Sequence, residues 1–68
     1  MKVSQLVDRV LKGKYPSCLK YKGCLYYPDE ENKTFVNIYG VTLWSVLISE
    51  VENGTPVSDL ELEVIEWK

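Results

Sequence analysis

At 68 residues, 46% hydrophobic and 26% charged, with a net charge of −2, the chain makes one small domain and is not a disordered segment. Two cysteines are too few for a disulfide scaffold, and the absence of histidine removes the commonest general base and the commonest metal ligand. A domain of this length buries only about 60% of the surface its unfolded chain exposes, so its core is thin.

The opening residues Met1-Lys2-Val3-Ser4-Gln5 run into a pattern broken by Asp8 and Arg9, which predicts neither a signal peptide nor a membrane span. Val3, Leu6, Val7, Val10 and Leu11 recur at helical spacing and predict an amphipathic helix with its apolar stripe on the core. Gly13 stops it, after basic residues that suit the negative end of the helix dipole. Pro16 then forces extended backbone on the residue before it.

The run Leu19-Lys20-Tyr21-Lys22-Gly23-Cys24-Leu25-Tyr26-Tyr27 reads as a tight β-hairpin centred on Lys22-Gly23. That turn pairs Tyr21 with Cys24 and Leu19 with Tyr26. Side chains alternate along a strand, so Leu19, Tyr21, Cys24 and Tyr26 share one face, predicted to be the core face. Cys18, Lys20, Leu25 and Tyr27 share the other. The two cysteines fall on opposite faces, too far apart for a disulfide, and both thiols are expected to be reduced. A reducing cytoplasm fits that expectation.

Pro28-Asp29-Glu30-Glu31-Asn32-Lys33 is a polar turn cluster. Its three adjacent carboxylates lack the alternate spacing, central glycine and distal glutamate of a calcium loop, which leaves a solvated loop tip. Thr34–Tyr39 alternates as a third strand, with Val36 and Ile38 on one face and Phe35 and Tyr39 on the other. Within residues 41–53, the run 41–48 has a strand-like composition, yet Thr42 is a fair N-cap, Val41 and Val46 flank it at hydrophobic-staple positions, and Asn53-Gly54 is a helix stop. A helix is predicted there. Leu43, Leu47 and Val51 recur every four residues, and the nearly all-round apolarity implies deep burial with Trp44 as a core aromatic.

Beyond a Thr55–Ser58 connector, Asp59–Trp67 alternates as a last strand, with a slip at Val64-Ile65, placing Leu60, Leu62 and Val64 inward and Glu61, Glu63, Ile65 and Trp67 outward. Lying beside the first hairpin strand, it would bring Glu61 and Glu63 near Lys20. Such pairing matters because residues 1–28 carry six cations against Asp8 alone, while residues 29–68 carry nine acids against Lys33 and Lys68. The predicted fold is α+β, in the order α-β-β-β-α-β: a four-stranded, mostly antiparallel sheet with two helices.

No catalytic constellation or cofactor site emerges. The glycines are isolated at chain breaks rather than gathered into a phosphate loop, and Glu50/Glu52 and Glu61/Glu63 sit on exposed faces. What remains is surface. If both helices cover one face of the sheet, the other face displays Leu25, Tyr27, Phe35, Tyr39, Ile65 and Trp67 with Lys20, the make-up of a protein interface. The acidic runs Asp29-Glu30-Glu31 and Glu50–Glu52 offer a phosphate-like alternative facing a basic groove. A different class of reading stacks single-stranded nucleic acid on Tyr15, Tyr21 or Tyr27 beside Lys14, Lys20 and Lys22. A third buries the aromatic face, with Trp67, against a second copy of the chain.

A basic amphipathic helix, the run Lys20-Tyr21-Lys22-Gly23-Cys24-Leu25-Tyr26-Tyr27, an apolar helix and the closing Leu60-Glu61-Leu62-Glu63-Val64-Ile65-Glu66 together resemble small uncharacterised proteins of phages and prophages of Gram-positive bacteria. Those run helix, Lys-Tyr-Asn-Gly hairpin, acidic linker, helix and Val-Glu-Ile-Ile-Glu strand, and Lys22 replaces the usual turn asparagine. The resemblance transfers no residue role. It implies a host-cytoplasmic protein that binds and blocks a host protein, the nucleases of bacterial immunity included, in the manner of an anti-CRISPR.

Overall fold

The computed structural model describes residues 1–67. Its elements are helix α1 (Val3–Leu11), strands β1 (Pro16–Tyr21), β2 (Cys24–Asp29) and β3 (Thr34–Val36), helix α2 (Leu43–Glu52), a 3₁₀ turn at Val57–Asp59, and strand β4 (Glu63–Trp67). The fold is α+β in the predicted order. The sheet runs β3-β2-β1-β4 with every neighbouring pair antiparallel.

The hairpin forms in the predicted register, Leu19 opposite Tyr26 and Tyr21 opposite Cys24. Lys22 and Gly23 have φ of 48° and 80°, the doubly left-handed pair of a type I′ turn, whose twist matches that of the strands it joins. Gly23 adopts this freely. Lys22 does not, and its side chain is tied down on both sides, by a 2.7 Å bond to Glu50 and by the Tyr21 ring 5.7 Å away. Both cysteines are free thiols.

α1 buries Val3, Leu6 and Val10 against the sheet. Its stripe is narrower than predicted: Leu11 points into solvent and Val7 is exposed. The helix ends on Gly13, where the Lys14 N–H reaches the Arg9 carbonyl and the Gly13 N–H the Val10 carbonyl, each at 2.9 Å. This is the pair of bonds that closes a helix on a left-handed residue. α2 begins on Thr42, whose hydroxyl accepts the Ser45 N–H, as predicted, and closes with the same bond pair from Gly54 and Thr55. Its Leu43 and Leu47 are buried; Ile48 and Val51 are not. The all-round apolarity of α2 therefore does not mean burial, because a chain this short has no second layer to cover its far side.

Both helices join Leu19, Tyr21, Tyr26 and Phe35 in one core cluster, so they lie on one face of the sheet and leave the other uncovered. Phe35 is the hub of that core. It is fully buried, with Tyr15 5.8 Å and Trp44 6.0 Å away, centroid to centroid, the latter edge-on. Trp44 is half-buried and donates its indole N–H to the Lys33 carbonyl at 2.9 Å.

Three expectations about the strands are corrected. Pairing with β2 sets Phe35 opposite Pro28 and Val36 opposite Tyr27, which turns Phe35 inward and Val36 outward, the reverse of the predicted faces. β3 also stops at Val36. The Asn37 side-chain oxygen accepts the N–H groups of Tyr39 and Val41, at 2.9 and 3.0 Å, and curls Asn37–Val41 into a loop that no strand can cross. β4 starts at Glu63, since residues 57–59 form the 3₁₀ turn; Leu60 and Leu62 are nevertheless buried, as predicted. Within β4 the register against β1 slips twice, ending with Trp67 opposite Pro16. The slips carry the Trp67 ring to the helix layer, with the Arg9 guanidinium 5.2 Å above it.

Candidate functional site

The uncovered face of the sheet is built from the positions that alternate out of the core. Lys20 sits at its centre, opposite Leu25 on β2 and opposite Glu63 on β4. Tyr27 stands two residues from Leu25 on the same face, facing Val36. The Asn37–Val41 loop folds back beside this edge. Its tip holds Ile38 and Tyr39, 80% and 78% exposed, the most exposed large apolar side chains in the chain. Leu25, Tyr27, Ile38 and Tyr39 line an open hollow of about 270 Å³ together with Gly23 and Cys24.

Of the residues predicted to bind a partner, the structure brings Tyr27, Tyr39 and Lys20 to this one surface. Phe35 is absent from it, as the hub of the core. Trp67 is absent too, being held under Arg9 on the helix side. Asp29 lies at the end of β2, where its carboxylate accepts the Asn32 side-chain N–H at 2.9 Å. Glu31 is exposed in the turn that follows. Glu30, also exposed, lies beside Arg9, Tyr15 and Trp67 around a separate hollow of about 370 Å³. Among the described residues no group of histidine, cysteine, aspartate or glutamate could hold a metal ion. No helix of these residues is long and apolar enough to cross a membrane.

The basic and acidic halves pair with each other. Lys22 bonds Glu50 at 2.7 Å, Lys2 bonds Glu61 at 2.7 Å, and the Met1 amine reaches the same Glu61 at 3.3 Å. The bond to Glu50 raises the Lys22 pKa above its ordinary value. The bond from Lys2, helped by the Met1 amine, lowers that of Glu61. The downward shift keeps Glu61 ionised, the opposite of what a general acid requires. Tyr15 and Tyr21 are 7% and 4% exposed, so neither can stack a base, and only Tyr27 of the three candidate tyrosines is open.

A second surface is invisible to the alternation argument. Trp44, Ile48 and Val51 follow one another along α2 at i, i+4 and i+7, a second apolar stripe beside the buried Leu43 and Leu47. With Val57 and Leu60 from the 3₁₀ segment they line a groove of about 460 Å³ in which Glu52 is the one charged side chain. The sequence carried half of the signal, two apolar stripes on one helix, but not that the fold leaves the second stripe uncovered.

Comparison with protein-family models, curated proteins and solved structures gives no match to this chain.

Proposed function

We propose that this protein is a non-catalytic protein-binding module whose working surface is the uncovered sheet face around Tyr27 and Tyr39. The observation that carries the reading is the hollow itself. Four large apolar or aromatic side chains meet in the open there, and two of them, Ile38 and Tyr39, contribute almost nothing to the core. Exposed aromatics grouped at a concavity and rimmed by charge are where interfaces concentrate their binding energy. Lys20, opposite Leu25, and Glu63 beyond it supply charge on the same face. The resemblance to small phage and prophage proteins gives the partner its class: a host or defence protein, met in the host cytoplasm and modulated or blocked by occupancy rather than by chemistry.

The test is capture from host lysate on immobilised protein, with each captured protein then purified and titrated. Tyr27→Ala combined with Tyr39→Ala is expected to weaken that binding by roughly a hundredfold, as loss of two anchor residues does. Trp67→Ala should leave it intact, because Trp67 faces the helix layer. Undiminished binding by the double variant would end the reading. A stable dimer in light scattering, dissolved by the same double variant, would instead assign the face to a second copy.

A further inference from the structure

We infer that the groove between α2 and the 3₁₀ turn is a second docking site, and that its occupant is a basic amphipathic helix of a partner protein. The inference is independent of the sheet-face reading, since the groove lies in the helix layer on the other side of the sheet.

Shape and charge both select that occupant. The surface is concave and apolar along its length, lined by Trp44, Leu47, Ile48, Val51 and Val57. An isologous contact with a second copy would set groove against groove and leave the space unfilled. A convex ridge about 10 Å across fills it, and a helix with apolar residues at i, i+3, i+4 and i+7 is such a ridge. At the end of the groove two carboxylates are left uncompensated. α2 terminates with Glu50 and Glu52 in its last turn and no basic residue there, against the preference of the helix dipole for cations. Glu50 is taken by Lys22, and Glu61 by Lys2 and the Met1 amine. Glu52 and Asp59 have no ion-pair partner among the described residues.

Leu60 ties the two features together. It lines the apolar groove on one side and, on the other, a hollow of about 230 Å³ whose walls hold Asp59 together with the already paired Lys22, Glu50 and Glu61. A lysine or arginine flanking the apolar stripe of a docked helix would pair with Glu52 and Asp59, the two carboxylates left free among the described residues. An acidic helix would meet repulsion there, so the same geometry supplies selectivity.

Trp44 reports directly on occupancy once Trp67→Phe removes the other tryptophan. The probes are two synthetic helical peptides with the same leucine stripe, one flanked by lysines and one by glutamates. The lysine peptide is expected to shift Trp44 emission saturably and to bind roughly tenfold tighter than the glutamate peptide. Glu52→Lys, which suits the helix dipole and so folds, should erase most of that preference. Ile48→Asp, at an exposed position, should abolish binding with the thermal transition retained. Equal binding of the two peptides, binding that survives Ile48→Asp, or no shift with either peptide would overturn the inference. So would a dimer that Ile48→Asp dissociates, which would give the groove to a second copy. Tyr27→Ala with Tyr39→Ala should leave peptide binding unchanged, which separates this site from the sheet face.

Discussion

Phe35 and Tyr39 were predicted to share a face, yet one is the hub of the core and the other is among the most exposed side chains in the chain. Between them stands Asn37, whose side-chain oxygen takes two backbone N–H groups that a continuing strand would have used. A single polar residue thus converts a strand into a loop and sends the next two apolar side chains to the surface. Tyr21 shows the opposite economy: its ring is core, but its hydroxyl is buried without a hydrogen-bond partner. An unpaired buried hydroxyl costs about 1–3 kcal/mol. Tyr21→Phe is therefore expected to leave stability unchanged or raise it, with the melting temperature holding or rising in calorimetry. A loss of about 1 kcal/mol would show that the hydroxyl is bonded after all. The ring that lies beside Lys22 is kept in either case.

At the level of elements, the helices carry their own punctuation. Thr42 caps α2 through a hydroxyl bond to Ser45, and no acidic residue in the first turn shares that task. Thr42→Ala is expected to cost about 1 kcal/mol, a drop of roughly 4–8 °C in a domain of this size, read by thermal denaturation. An unchanged transition would mean that the cap is redundant. Signals of this local kind made much legible in advance: both helices, the tight hairpin with its register, and the element order. What could not be read was whatever depends on a distant partner. The face of β3 follows from pairing with β2, and the position of Trp67 from two register slips against β1. The first has no local sequence mark; the second is marked only by the break in alternation at Val64-Ile65, which does not say where the slip carries Trp67. The candidate site divides the same way. Tyr27 and Lys20 were placed by hairpin alternation, whereas the α2 groove needed the knowledge that nothing else covers that helix.

For the molecule as a whole, the opposed charges of its two halves are used internally, in the bonds Lys22–Glu50 and Lys2–Glu61. This gives stability two pH limbs. Glu61 has a folded pKa below its ordinary value, owing first to the Lys2 bond. Its contribution is present above the usual carboxylate range and is lost as pH falls through the depressed value. Tyr26 has a folded pKa above its ordinary value, chiefly because burial disfavours the phenolate and secondarily through the Cys24 thiolate. Its contribution is full below the unfolded phenol value of about 10 and declines as pH rises through the raised one. Lys22, raised by Glu50, adds to the same alkaline limb. Denaturant titrations across pH are expected to show Tyr26→Phe flattening the alkaline limb and Glu61→Gln flattening the acid one. The reverse assignment, or limbs that neither variant alters, would contradict these causes.

The order of strands has a consequence for biosynthesis. β1 is flanked by β2, its immediate successor, and by β4, the last strand to be made. At roughly 5–20 residues per second, the hairpin exists for a few seconds before the strand that seals its other edge has been translated. During that interval β1 offers an open row of backbone N–H and C=O groups on which another nascent chain can template. Lys20 at the middle of the strand, and Pro16 with no N–H at its start, make that edge a poor template. A chain that stopped before Glu63 would keep the vulnerability permanently, so truncation ahead of β4 is expected to yield an aggregating species rather than a slightly weakened one.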